Sequence, residues 1–126
     1  MQQVLLVDDE PLFLSMFATI LERAGYTVQE ASDGSQALRL ISESAPDLII
    51  SDLMMPGLDG IELCEEIRAN PQMKSIPFVL LTAISDRERH QIAMNRGVTR
   101  VLTKPILPQV LSQEVHTALA QSTHLS

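Results

Sequence analysis

Five short strand-like segments, each followed by a stretch whose apolar residues recur at helical spacing, leave few folds open to this chain. Val4 to Val7 is the first run; Asp8-Asp9-Glu10 and Pro11 follow, and Phe13, Met16, Phe17, Ile20, Leu21 and Ala24 then repeat with helical period until Gly25. Tyr26 to Ala31 mixes polar and apolar residues and reads as an edge strand. A second helix starts near Asp33-Gly34, is marked by Ala37, Leu38 and Ile41, and ends before Ala45-Pro46. The third apolar run ends at Asp52, and a Pro56-Gly57 turn precedes Asp59, which stands three residues before Glu62 as a capping box should. Ile61, Cys64 and Ile67 line that helix's buried side, and Asn70-Pro71 ends it.

Ile76 to Thr82 is the fourth strand, and Ser85-Asp-Arg-Glu88 reads as the capping box of a helix that closes at Gly97. Val98 to Thr103, again of mixed polarity, is the fifth strand, and Leu107, Val110, Leu111, Val115, Ala118 and Leu119 give the last helix its apolar stripe. Five strands alternating with five helices require right-handed crossovers and a parallel sheet covered on both faces. With the second and fifth strands at the edges the order is 2-1-3-4-5, a doubly wound α/β sandwich whose ligands belong at the switch point between strands one and three.

Composition narrows the function. At 126 residues, 45% hydrophobic and 20% charged, the chain fits one globular domain, placed at 1–121 with a polar tail or linker at 122–126. The net charge of −7 argues against direct nucleic-acid contact, which needs clustered Lys and Arg, and against an anionic membrane surface. No apolar run approaches a membrane span, no signal segment precedes Val4, and the single cysteine, Cys64, reads as a buried apolar residue. A cytoplasmic location is the expectation.

Asp8 and Asp9 follow strand one, Asp52 strand three, Thr82 strand four and Lys104 strand five, so all five side chains are expected at one sheet edge. Taken singly each has an ordinary role: Asp8 or Asp9 as a cap for the helix at Pro11, Thr82 and Lys104 as loop residues. Their convergence points to a shared ligand. Three carboxylates repel unless a cation neutralises them, and a hard divalent ion such as Mg²⁺ suits oxygen ligands and a phosphate. Asp52 then suits a carboxylate nucleophile, with Lys104 as a point charge and the Thr82 hydroxyl as a donor to phosphoryl oxygens.

The chain resembles the receiver domain of the two-component response-regulator family. The resemblance is carried by Leu6-Val7-Asp8-Asp9-Glu10-Pro11, Asp52-Leu53-Met54-Met55-Pro56-Gly57-Leu58-Asp59-Gly60, Leu81-Thr82-Ala83 and Leu102-Thr103-Lys104-Pro105, and it covers about 120 residues. It implies a flavodoxin-like (βα)₅ fold and Asp52 as phosphoacceptor for a histidine kinase or phosphotransfer protein. Asp8, Asp9, Asp52 and the Met54 backbone carbonyl would hold Mg²⁺, Lys104 and Thr82 would contact the phosphoryl group, and the Lys104–Pro105 peptide would be cis. The output protein or fused output domain would meet the face formed by helix four, strand five and helix five. Such a domain modifies itself and turns over no external metabolite.

The chain also departs from the pattern. Where many receivers carry an aromatic switch residue it has Val101, and where dimerising members carry an acidic pair it has Thr99 and Arg100, with no Lys or Arg after Lys104. A different partner surface on helix four, strand five and helix five, using Arg87, Arg89 and Arg100, is one expectation, and a merely solvated basic patch is the other. Met54 and Ile84 occupy positions that influence phosphoryl hydrolysis; both are apolar and neither can orient a water, so a long-lived phosphorylated state is expected. Two rival readings are a pseudo-receiver acting only as a binding module and an Asp-nucleophile phosphatase of the haloacid-dehalogenase type. The first should lack the acidic pair, acceptor or lysine; the second needs an Asp where Met54 stands. His90, His116 and His124 read as exposed helix and tail residues rather than as phosphotransfer histidines.

Overall fold

A computed structural model describes residues 2–125. Strands β1 (Gln3–Val7), β2 (Thr27–Ala31), β3 (Leu48–Ser51), β4 (Phe78–Thr82) and β5 (Arg100–Thr103) alternate with helices α1 (Pro11–Arg23), α2 (Gly34–Glu43), α3 (Gly60–Ala69), α4 (Arg87–Asn95) and α5 (Pro108–Leu125). All strand pairs are parallel and the order is β2-β1-β3-β4-β5, as the alternation requires. The polar end, residues 122–125, continues α5 as helix, and the His124 side chain lies outside the described ones.

The continuous apolar runs are explained by two cores, one on each face of the sheet. Val4, Leu6, Leu48, Ile50, Val79 and Leu81 pack with Leu14, Phe17, Leu21, Leu111 and Val115 of α1 and α5. Leu5, Val7, Ile49, Phe78 and Leu80 pack with α2, α3 and α4 through Ala37, Ile41, Leu63, Cys64, Ile67 and Ala93. Because successive side chains point to opposite faces, a strand buried on both is apolar along its length, here with a polar residue only at the last position, Ser51 in β3 and Thr82 in β4. β2 and β5 are less buried, which is why their sequences are mixed.

Four details of the sequence reading change. The buried stripe of α1 is Leu14, Phe17, Ala18 and Leu21, whereas Met16 and Ala24 are exposed and Phe13 is half-buried. On α5 the stripe begins at Leu111, leaving Leu107 and Val110 exposed, and on α3 Leu63 is buried while Ile61 is half-buried. Helix α4 is capped by Asp86, whose Oδ1 accepts from Glu88 N–H at 2.9 Å; Ser85 lies outside the helix, so no Ser85–Glu88 box caps it. An Asp beside a Ser competes for the same first-turn donors. The α3 box forms as expected: Asp59 Oδ1 accepts from Glu62 N–H at 2.8 Å, and Glu62 Oε1 from Asp59 N–H at 2.9 Å.

Candidate functional site

The strand register carries the polar residues to one place. Val7 pairs with Ser51, Ser51 with Leu80, and Thr82 with Thr103, so Asp8, Asp52, Thr82 and Lys104 emerge at neighbouring levels of the same edge. The ladder extends just past the strands: Asp8 N–H donates to Ala31 O, Asp52 N–H to Val7 O and Lys104 N–H to Thr82 O. Backbone hydrogen bonds therefore fix the Cα atom of each candidate residue before its side chain does anything.

Asp8 is buried, with Oδ1 accepting from Glu10 N–H at 2.9 Å and Oδ2 from Lys104 Nζ at 2.9 Å. Neither it nor Asp9 caps α1, whose first turn begins at Pro11 without a side-chain cap. Asp52 is half-buried; its Oδ1 accepts from Leu53 N–H at 2.7 Å and its Oδ2 lies 3.4 Å from Lys104 Nζ. Asp9 is exposed, yet one carboxylate oxygen from each of Asp8, Asp9 and Asp52 lies within 4.8 Å of the others. Burial pushes the Asp52 carboxyl above its ordinary range and the Asp8 charge adds to this, while Lys104 and the Leu53 N–H pull it down without cancelling the rise. An all-oxygen cluster this tight, one member of which resists ionisation, fits a hard divalent cation.

The loop after Asp52 is pinned. Leu53 and Met55 turn inward and are buried, so Met54 between them faces out, 58% exposed. Gly57 takes a positive φ of 75°, and Gly60 N–H closes the loop onto Leu53 O at 2.8 Å. A Cβ at Gly60 would collide with the Asp52 carbonyl oxygen and come within 2.6 Å of Leu80 Cδ1, so only glycine lets α3 start this close to the acid. Ser51 Oγ also donates to the Asp52 carbonyl, at 2.8 Å.

Thr82 is buried and its Oγ1 accepts from Ile84 N–H at 3.1 Å; the Ile84 carbonyl in turn accepts from His90 Nε2–H at 2.7 Å. His90 is thus half-buried and bonded, contrary to its reading as an exposed helix residue, while His116 is exposed. Val101 is half-buried and packs against the α2, α3 and α4 side of the core. The Lys104–Pro105 peptide is cis. The three arginines expected at a partner face behave differently: Arg100 pairs with Glu114 of α5, Arg89 leans toward Met54 Sδ at 4.0 Å, and Arg87 is exposed at the start of α4. The sequence reading missed Phe13 and Phe17, which stand beside Lys104, because helical spacing placed both in the α1 core stripe.

Comparison with known proteins agrees with this geometry. The sequence profile of the response regulator receiver domain matches residues 4–116. The chain is 36% identical over 121 residues to the alkaline phosphatase synthesis transcriptional regulatory protein PhoP of Bacillus subtilis, covering 96% of this chain and 50% of PhoP. The chain therefore spans about half the length of such curated relatives. Among solved structures, the chemotaxis response regulator CheY4 of Vibrio cholerae superposes with a TM-score of 0.89 at 35% identity, over 94% of this chain and 98% of that one. The signal receiver domain of a signal transduction histidine kinase from Syntrophus aciditrophicus does so with a TM-score of 0.89 at 35% identity, over 96% and 92%. With the profile match, the shared strand order and an acidic, lysine-bearing sheet edge in hand, the chain belongs to the response regulator receiver domain family.

Proposed function

We propose that Asp52 is the phosphoacceptor of this receiver domain, taking a phosphoryl group from a phosphohistidine of a histidine kinase or phosphotransfer protein. The observation that carries the proposal is Asp52 at the switch point, with Asp8 and Asp9 within 4.8 Å and Lys104 Nζ 3.4 Å from Oδ2. In the reaction a carboxylate oxygen of Asp52 forms a bond to phosphorus, the phosphorus–nitrogen bond breaks, and the imidazole leaves. The product is an acyl phosphate on the protein, and no external metabolite is turned over.

Asp8, Asp9 and Asp52, with the Met54 backbone carbonyl, would hold Mg²⁺, which when bound supplies neutralising charge to the carboxylates and the incoming phosphoryl oxygens. The remaining work belongs to the chain. Leu53 N–H fixes the rotation of the Asp52 carboxylate, Lys104 supplies a cation on the other oxygen, and Thr82 supplies a hydroxyl. Thr82 Oγ1 accepts from Ile84 N–H, so turning toward a phosphoryl oxygen would release that bond and, through Ile84 O and His90, loosen the start of α4. This route reaches the face formed by α4, β5 and α5 without an aromatic at position 101, and that face is where an output protein or fused domain would read the phosphate.

The net charge of −7 disfavours nucleic acid on this stretch itself. Mycolicibacterium smegmatis MtrA is named a DNA-binding response regulator, and the match leaves about half of that protein outside the aligned region. Among the described residues no helix is long and apolar enough to cross a membrane. The assignment of Asp52 is tested by incubating the chain with acetyl phosphate and Mg²⁺, reducing the acyl phosphate with borohydride and mapping the peptides. Conversion of Asp52 to homoserine supports it. Label on Asp8, Asp9 or a histidine contradicts it.

A further inference from the structure

Of the chain's four aromatic residues (three Phe, one Tyr, no Trp), two stand beside one ammonium group. Lys104 Nζ lies 4.1 Å from the centroid of the Phe13 ring, and Phe17, stacked on Phe13 at 5.7 Å and 15°, has its centroid 6.0 Å from the same nitrogen. We propose that Phe13 is a positioning residue for phosphoryl transfer, its π face holding the Lys104 ammonium at the sheet edge while leaving that ammonium's hydrogen-bond donors free for the phosphoryl group. The proposal rests on Asp52 being the phosphoacceptor.

Phe13 packs on the margin of the core that α1 and α5 share with the sheet, outside the buried stripe of its helix. The buried stripe of that helix runs through Leu14, Phe17, Ala18 and Leu21, while Phe13, in the first turn, is only half-buried. Its ring takes up the space between the helix start and the lysine that follows β5.

The chemistry of the lysine explains why an aromatic face is useful there. Its side chain is only 8% exposed, so the ammonium has lost most of its water and needs compensation from the protein. Asp8 Oδ2 supplies one contact at 2.9 Å and Asp52 Oδ2 another at 3.4 Å. A further carboxylate would hold the charge too firmly, because the ammonium has to exchange a carboxylate contact for a phosphoryl oxygen during transfer. The negative face of an aromatic ring attracts the cation without occupying an N–H in a directed bond, and this attraction is strongest where the cation is desolvated. An aliphatic side chain of similar volume would fill the same space but leave the charge uncompensated on that side.

The two roles separate experimentally because fluorination drains the ring's quadrupole with little change in shape. The full 126-residue chain is made with mono-, di- and trifluorinated phenylalanine at position 13, and separately as Phe13→Leu. Each protein is assayed for the rate of Asp52 phosphorylation by acetyl phosphate with Mg²⁺, and for its thermal midpoint. The expected result is a stepwise fall in rate along the fluorinated series, each protein remaining folded at the assay temperature by its thermal midpoint, with Phe13→Leu about three- to tenfold slower than wild type, the scale of a desolvated cation–π contact. In a Lys104→Ala background the dependence on fluorine should vanish. Equal rates across the series, or an equal fall with Lys104 absent, would overturn the role of Phe13. Failure of the wild-type chain to gain phosphate on Asp52 would remove the reading beneath it, and the wild-type arm alone shows which has failed.

Discussion

Asp52 is held in the folded chain at a cost. Its carboxyl is pushed up chiefly by burial and secondarily by Asp8, and Lys104 and the Leu53 N–H only partly offset this. A raised folded-state value means that the native chain binds a proton more readily than the unfolded one. The ionised form therefore lowers stability above the folded pKa, and the loss fades as pH falls through that value toward the ordinary 3.8. Asp52→Asn should accordingly raise the thermal midpoint of the metal-free protein at neutral pH by a few degrees, with the gap narrowing on acidification; an unchanged or lower midpoint would count against the burial argument. Met54, exposed between two buried neighbours, cannot orient a water. Met54→Asn is expected to shorten the lifetime of the acyl phosphate, read as loss of phosphate mass after the donor is removed. At this scale the gathering of Asp8, Asp9, Asp52, Thr82 and Lys104 was legible because each stands at or just past the end of a strand-like segment. Phe13 was not, since spacing alone cannot separate a core residue from one at a helix start that leans over a site.

At the scale of elements, the start of α3 governs how accurately Asp52 is placed. Asp59→Ala removes the bond its side chain accepts from Glu62 N–H, leaving the Asp59 N–H to Glu62 Oε1 bond of the box, and should cost about 1 kcal/mol in denaturant unfolding. Gly60→Ala should cost more, roughly 1–3 kcal/mol, and slow phosphorylation as well, because the added methyl displaces the Asp52 carbonyl rather than solvent. The β4–α4 connection carries the other element-scale prediction. His90→Leu keeps a side chain of comparable size but removes the bond to Ile84 O. Phosphorylation should proceed, whereas the phosphate-dependent change in hydrogen exchange across residues 84–92 should shrink; an undiminished change would exclude this route. The element order and the α3 box were readable from the chain because period and capping chemistry agreed there. The α4 cap was misplaced by one residue because Ser85 and Asp86 are both good caps, and only backbone geometry decides between them.

For the whole molecule, two apolar layers fix the sheet and leave Asp8, Asp9 and Asp52 gathered at one of its edges. The topology was legible because strands buried on both faces read as near-continuous apolar runs, whereas the path from Thr82 outward depends on Ile84 and His90, whose contacts have no periodic signature. Phosphorylation of the single acid Asp52 is open to one decisive measurement, the intact mass of the chain after acetyl phosphate and Mg²⁺, with Asp52→Asn as the control. One phosphate on the wild-type chain and none on Asp52→Asn is expected; a phosphate on both, or on neither, would rule Asp52 out as the acceptor.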